Sequence, residues 1–207
     1  MIHNLHRSDG TLLYVKDCAT VSEAFQEAVQ EGVNLTGLTL RGLSIEGVII
    51  PQTVFDDVMF DRCVLDHVVF ADSTTFNRCV FDQCTVANST FKKCTFTSTG
   101  IFRTRMRTTS LEDAVMNDVR IVLSSTDAVN MKFARLSSCE LRFNVLRANL
   151  DFAHLSDIKA KNCELIHSGT ENALIEFANR SAVGLHGHAW QCAQPIDSAS
   201  KASLFED

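Results

Sequence analysis

The sequence lacks several features that would point to common classes of function. Nowhere do about eighteen apolar residues run together, and the first residues contain no uninterrupted apolar stretch of the kind found in secretion signals. Basic residues are not in excess either, because 25 acidic residues outnumber 19 basic ones and give a net charge of −6. We therefore expect a cytoplasmic protein without membrane contact. Direct nucleic-acid binding is not expected, since phosphate recognition requires a basic surface.

Signatures of catalysis are also missing. The sequence contains no nucleophile elbow, Walker loop, His-Glu-x-x-His or kinase motif. Only nine glycines are available to shape loops around a concave site. We predict that the protein is not an enzyme and needs no cofactor.

One segment has a density of metal-ligating residues. His186-Gly187-His188 is followed by Cys192, so this stretch contains three zinc-ligand types, and His167 is a candidate for a fourth. The spacing fits no recognised zinc pattern, and glycine-rich surface turns often carry histidines. We therefore predict no metal site, and an enzyme built on this stretch is the least favoured reading.

What the sequence does contain is a period of five residues. From Leu35 the apolar positions are Leu35, Leu40, Ile45, Ile50, Phe55, Phe60, Leu65 and Phe70. After one inserted residue within 71–75 they continue as Phe76, Phe81, Val86, Phe91, Phe96, Ile101, Met106, Leu111, Met116 and Ile121, with polar Thr126 next. Met131, Leu136, Leu141 and Leu146 follow, and a one-residue deletion shifts the series to Leu150, Leu155, Ala160 and Leu165. Neither a helix nor an ordinary strand produces this period, which indicates a repeat protein.

The residue two places before these positions is small in most repeats. Six of the eight cysteines lie there, namely Cys63, Cys79, Cys84, Cys94, Cys139 and Cys163. We expect them to be small core residues in a reducing compartment, not metal ligands or disulfide partners.

These repeats resemble the pentapeptide-repeat family. Ala148-Asn149-Leu150 matches the family consensus, and many other repeats read Cys or Val, any residue, then Phe. The resemblance implies an all-β solenoid, a right-handed quadrilateral β-helix in which four pentapeptides form one coil. On that model Leu35, Phe55 and Phe76 stack along one face, and Leu40, Phe60 and Phe81 along the next.

The segments outside the repeat are predicted to cap the open ends of the β-helix. Residues 11–16 read as a strand, and Thr20 with Glu23 forms a capping box before an amphipathic helix that ends near Gly32. We expect an N-terminal cap at 1–34, the β-helix at 35–166, and a C-terminal cap or tail at 167–207. A short helix is expected at 170–180, and the terminal segments are candidates for homo-oligomer contacts.

Charge is unevenly distributed along the repeat. Seven acids lie between Glu46 and Phe91, whereas the band from Lys92 to Arg107 contains five bases and no acid. We predict a non-enzymatic interaction or scaffold module that binds a protein partner. Its candidate interface is the basic band, formed by Lys92, Lys93, Arg103, Arg105 and Arg107. The alternative interpretation is that the uneven charge belongs to an ordinary solvated surface without a binding role.

A second functional hypothesis comes from the family resemblance. Phenylalanine-rich segments such as 76–81 are similar to those of pentapeptide-repeat proteins that imitate DNA and inhibit type II topoisomerases such as gyrase. In that case the phosphate surrogates are Asp56, Asp57, Asp61, Asp66 and Asp82. The basic band and the balance of 15 acids and 15 bases over residues 35–165 depart from that group.

Overall fold

The computed structural model describes residues 1–142, 144–169 and 173–186. Two antiparallel strands begin the chain, β1 (Ile2–His6) and β2 (Leu12–Asp17), and helix α1 (Val21–Gln30) follows. The remaining strands are β3 (Thr39–Arg41), β4 (Ser44–Glu46), β5 (Ile49–Ile50), β6 (Val54–Asp56), β7 (Met59–Asp61), β8 (Val64–Asp66), β9 (Val69–Phe70), β10 (Thr75–Asn77), β11 (Val80–Asp82), β12 (Thr85–Ala87), β13 (Thr95–Thr97), β14 (Gly100–Phe102), β15 (Arg105–Arg107), β16 (Val115–Asn117), β17 (Arg120–Val122), β18 (Ser125–Asn130), β19 (Arg135–Ser137), β20 (Glu140–Arg142), β21 (Val145–Asn149), β22 (His154–Gly169) and β23 (Leu174–His186).

From β3 onward these strands wind into a four-sided parallel β-helix. Each strand pairs in parallel with the strand one coil later, so that Phe76 aligns with Phe96 and Phe96 with Met116. The offset of 20 residues equals four pentapeptides, which confirms the predicted right-handed quadrilateral β-helix. The inserted residue lengthens one coil to 21, since Phe55 aligns with Phe76. At Thr126, the polar residue in the series, the pairing of β18 is interrupted by a bulge.

The interior holds the residues of the five-residue series. Phe55, Phe60 and Phe76 have no exposed surface, and nearly all other members within the described residues are also buried. Burying each such side chain contributes about 1.5–3 kcal/mol, so this core is the main source of stability. No helix in the described part of the chain is long and apolar enough to cross a membrane.

The small inward residues also link successive coils by hydrogen bonds. The Cys79 thiol donates to the Phe55 carbonyl oxygen over 3.3 Å, and the Thr99 hydroxyl donates to Phe76 O over 2.9 Å. Asn144 is larger but is satisfied in the same way, by Ile121 O and the Ser124 N–H. Cysteine, serine and threonine suit these positions because they are compact and can donate a hydrogen bond. The seven cysteines of the described chain are free thiols.

At most corners of the described coils one residue adopts a left-handed backbone. In the first coil this residue is glycine, with φ of 62° at Gly42 and 63° at Gly47. In later coils it is usually polar, such as Asp57 or Arg78, which points the side chain outward. Residues at these corners therefore form ladders on the outside of the rod.

Helix α1 closes the N-terminal end of the core. The Glu23 N–H donates to Thr20 Oγ1 over 3.1 Å, which confirms Thr20 as the N-cap, whereas the Glu23 carboxylate accepts from the N–H of Ala19, one residue before the N-cap of the predicted capping box. The apolar face of the helix is buried, and the Phe25 ring lies 6.5 Å from that of Phe55. The predicted strand is confirmed as β2, whereas its partner β1 was not predicted.

The C-terminal prediction of a helix at 170–180 is wrong where the structure describes it. Residues 174–186 form β23, which pairs in parallel with β22. The reason is a two-residue alternation, because Ile175 and Phe177 are both buried on top of the preceding coil. Parallel pairing thus continues beyond residue 166, and the proposed division at 35–166 and 167–207 stays a prediction.

Candidate functional site

The outer surface of the β-helix carries charged residues that pair between coils. The clearest example is Arg78, a corner residue whose guanidinium donates to two acids of the preceding coil. Its Nε lies 2.9 Å from Asp57 Oδ1, and its Nη2 lies 2.8 Å from Asp56 Oδ2. These hydrogen bonds hold the pKa of the Asp57 carboxyl below its ordinary value and raise the pKa of Arg78.

The other acids of the predicted DNA-mimic face are also engaged. Asp61 lies within 3.2 Å of Arg62 and 3.4 Å of Arg41. Asp66 accepts from the Asn88 side-chain amide over 2.9 Å, and this hydrogen bond is the main cause of its lowered pKa.

Asp82 accepts from Arg103 Nε over 2.9 Å. The structure therefore places all five acids on the outside of the rod, and each has a partner from its own chain.

Three members of the basic band are paired in the same way. Lys92 Nζ lies 2.8 Å from Glu112 Oε1, Lys93 Nζ lies 2.9 Å from Asp72 Oδ2, and Arg103 binds Asp82. The hydrogen bond to Glu112 raises the pKa of Lys92. Such exposed pairs contribute little to stability, but they reduce the charge that the cations present to a partner.

Arg105 and Arg107 differ from the rest of the band. Both are exposed on β15, on either side of inward-facing Met106. Arg105 aligns with uncharged Thr85 and Ser125 in the neighbouring coils, whereas Arg107 aligns with Ala87 and with the acid Asp127. Within the described residues neither arginine forms an ion pair. Two of the five cations of the basic band are therefore available to bind a partner.

A shallow hollow of about 290 Å³ borders this position. Arg103, Arg105 and Leu123 line it together with neutral residues, and 58% of the Leu123 side chain is exposed. The arrangement places arginine, a residue type enriched at protein interfaces, beside an exposed apolar side chain.

Sequence reasoning missed the apolar residues at the outer corners. Leu123, Phe133 and Phe152 have φ of 54°, 60° and 57°, and each is at least 39% exposed. The sequence contained a signal for them, because each lies two places after a residue of the five-residue series, where most other repeats carry a polar side chain.

The stretch considered and rejected as a metal site, 186–192, lies outside the described residues except for His186. In the part of the chain that is described, no three His, Cys, Asp or Glu residues are grouped so as to hold a metal ion.

Comparisons with known proteins give limited similarity in sequence. The family model for the SV2A/B/C luminal domain matches residues 41–121, and no curated protein matches the chain.

Solved structures align over a larger part of the chain. One is HetL, a pentapeptide-repeat protein involved in heterocyst differentiation regulation from the cyanobacterium Nostoc sp. strain PCC 7120. The alignment covers 80% of this chain and 90% of HetL, with 16% sequence identity and a TM-score of 0.35. QnrB1, a plasmid-mediated fluoroquinolone resistance protein, aligns with 15% identity, 80% and 95% coverage and a TM-score of 0.34. Rfr23 from the cyanobacterium Cyanothece 51142 aligns with 16% identity, 60% and 89% coverage and a TM-score of 0.24. By its own five-residue period and four-sided parallel coil, the chain has the right-handed β-helix fold of pentapeptide-repeat proteins.

Proposed function

We propose that this chain is a non-enzymatic protein-interaction module that binds an acidic protein surface through Arg105 and Arg107. The observation that carries the proposal is the contrast within the basic band. Three of its cations are neutralised by acids on adjacent coils, whereas Arg105 and Arg107 are exposed and have no ion pair among the described residues. Arginine suits this role because its guanidinium binds a carboxylate through two parallel hydrogen bonds.

The fold supports a binding role for a further reason. The β-helix interior is filled with side chains, and hydrogen bonds between coils fix the outer side chains at a spacing of about 4.8 Å. Such a surface is ordered before binding, so little conformational entropy is lost on association. The shallow hollow beside Leu123 would accept an apolar side chain from the partner.

The test is capture from host lysate with the intact chain and with three charge variants. We expect Arg105→Ser/Arg107→Ser to lose the captured partner. The variant Lys92→Ser/Lys93→Ser/Arg103→Ser should retain most binding, because those cations are already paired. Lys159→Ser/Lys161→Ser is the matched control, since it removes two exposed cations that flank an inward residue, Ala160, on another face.

Affinity for the identified partner should fall by at least about tenfold in the Arg105/Arg107 variant. It should also decrease as salt rises, because exposed charges are screened beyond about 8 Å at physiological ionic strength. Equal binding by this variant and by the lysine control would contradict the proposal.

The alternative function is regulation of a DNA-handling enzyme by DNA mimicry, with the carboxylates of Asp56, Asp57, Asp61, Asp66 and Asp82 as phosphate surrogates. The ion pairs and hydrogen bonds of these acids favour the first proposal, since partly neutralised carboxylates attract a DNA-binding groove weakly. A gyrase supercoiling assay separates the two functions. Inhibition by the intact chain that is lost when the five aspartates are changed to asparagine would support mimicry.

A further inference from the structure

A second surface is formed by two phenylalanines at the outer corners of successive coils. Phe133 and Phe152 are 42% and 39% exposed, although apolar rings of this size are normally buried. Both adopt left-handed backbone conformations, which cost roughly 1–2 kcal/mol for residues other than glycine. The surrounding β-helix enforces this conformation, so the chain keeps two bulky rings exposed at positions where small polar residues would be more stable.

The two rings are held in a defined arrangement. Their centroids lie 5.1 Å apart with an interplanar angle of 21°, which is a stacked pair. Lys132 Nζ lies 5.2 Å from the Phe133 centroid and 5.5 Å from that of Phe152, within the range of a cation–π contact. The pair is therefore ordered in the free protein.

Beside the rings is an open groove with a volume of about 630 Å³. Asp113, Phe133 and Phe152 form its corner wall, and Val115, Arg135 and His154 form the adjoining column on three consecutive coils. Successive residues of each row are about one strand spacing, or 4.8 Å, apart. The three residues of a row span about 10 Å, which matches the length of about three residues of an extended peptide.

The charge around the groove indicates the chemistry of its occupant. Arg135 is exposed and makes no ion pair or side-chain hydrogen bond within the described residues. Lys132, beside the rings, is a second cation, although Glu112 on the preceding coil offsets part of its charge, and Asp113 is the one acid among the described residues that line the groove. We propose that this groove binds an extended acidic peptide of a partner protein, in which an aromatic or large aliphatic side chain stacks against Phe133 and Phe152 and a neighbouring carboxylate binds Arg135.

The probe is a displayed library of short random peptides selected on the full chain, with counter-selection on Phe133→Ser/Phe152→Ser. Selected peptides should combine an aromatic or large aliphatic residue with a nearby Asp or Glu. Their synthetic versions should bind Phe133→Ser/Phe152→Ser and Arg135→Ser at least about tenfold more weakly than the intact chain. Peptides in which lysine replaces the acid should show the same loss.

Leu123→Ser is the matched control, because it removes an exposed apolar residue from an equivalent left-handed corner outside the groove. It should leave peptide affinity unchanged, as should Arg105→Ser/Arg107→Ser. The test of the groove is therefore independent of the interface proposed at Arg105 and Arg107. Thermal unfolding should show that Phe133→Ser/Phe152→Ser is folded.

Three outcomes would overturn the proposal. One is a selection that enriches no peptide or only basic ones. Another is unchanged peptide affinity in Phe133→Ser/Phe152→Ser. The third is sedimentation showing a dimer of the intact chain that the double variant abolishes, which would make a second copy the occupant.

Discussion

The two halves of the β-helix fill the same interior with different side chains. In the aromatic half, residues 50–100, phenylalanines stack along the axis, with centroid separations of 5.1 Å for Phe55 and Phe76 and 4.8 Å for Phe76 and Phe96. In the aliphatic half, residues 101–160, leucine, methionine and isoleucine replace them. Both halves satisfy the five-residue period, so the period defines the winding but not the quality of packing.

The consequence is a difference in empty space. Around the junction of the two halves, a void bordered by Phe81, Phe91 and Phe96 has a volume of only about 10 Å³. A cavity of about 50 Å³ lies within the aliphatic half, lined by residues such as Met116, Met131 and Leu136. Since interiors normally pack as densely as organic crystals, the aliphatic half should be the less stable part of the rod.

The largest expected effect comes from removing the central ring of the aromatic half. Phe76 is fully buried and lies within 5.8 Å, centroid to centroid, of five other phenylalanine rings. We expect Phe76→Ala to lower the free energy of unfolding by about 3–5 kcal/mol, measured by denaturant titration.

Leu136→Ala is the comparison variant, on the same face but in the aliphatic half. This substitution should lower the free energy of unfolding by about 2–3 kcal/mol, the lower end of the range for a buried leucine. The loss is small because the neighbours of Leu136 already border a void and lose fewer contacts. A larger loss at Leu136 than at Phe76 would mean that the two halves do not differ in packing.

Cysteines give an independent measure of local stability in each half. Cys79 and Cys139 occupy the same inward position on one face, and their thiols donate to the carbonyl oxygens of Phe55 and Met116. Burial raises the pKa of Cys79 to about 12 and of Cys139 to about 11. Because the thiolate is the reactive form, labelling near neutral pH requires local opening.

We expect Cys139 to be alkylated about tenfold faster than Cys79, which corresponds to an opening free energy lower by about 1.4 kcal/mol. Residue-resolved mass spectrometry measures both rates in one sample, and partly buried Cys18 provides a fast reference. Equal rates at the two buried sites would indicate that the rod opens as one cooperative unit.

The same raised pKa values predict a decrease in stability at high pH. The unfolded thiols lose protons near their ordinary pKa of 9.0, whereas Cys79 and Cys139 stay protonated to about 12 and 11 in the fold. The folded state then binds more protons than the unfolded state, so the free energy of unfolding falls as pH rises through this window.

The fold was predictable because one short-range rule repeats along the chain. The alternation of a small and a large inward residue, as at Cys79 and Phe81, recurs every five residues and identifies the winding. At the C-terminus that rule fades, and a four-residue apolar spacing from Ala173 to Phe177 suggested a helix. The structure has a strand there because the preceding coil presents unpaired backbone groups, which the sequence of the segment alone does not reveal.

The candidate surfaces were less predictable because they depend on pairs between coils. The sequence reveals five cations in the basic band. Only the fold shows that Glu112, 20 residues away, neutralises Lys92, whereas the residues aligned with Arg105 are uncharged. Likewise, Phe133 and Phe152 are far apart in the sequence and stack only because one coil separates them.

The smallest expected effect is the most direct test of the cavity. Met116 is buried directly above Phe96 in the stack and borders the cavity of about 50 Å³. Met116→Phe would extend the aromatic stack into that space, and we expect a gain of about 1 kcal/mol in the free energy of unfolding. Met116→Leu, which adds no ring, should change it by less, and methyl NMR signals of neighbouring leucines should shift only in the phenylalanine variant. If Met116→Phe is destabilising instead, the aliphatic half is rigid in spite of its cavity, and its lower stability must come from the loss of stacking alone.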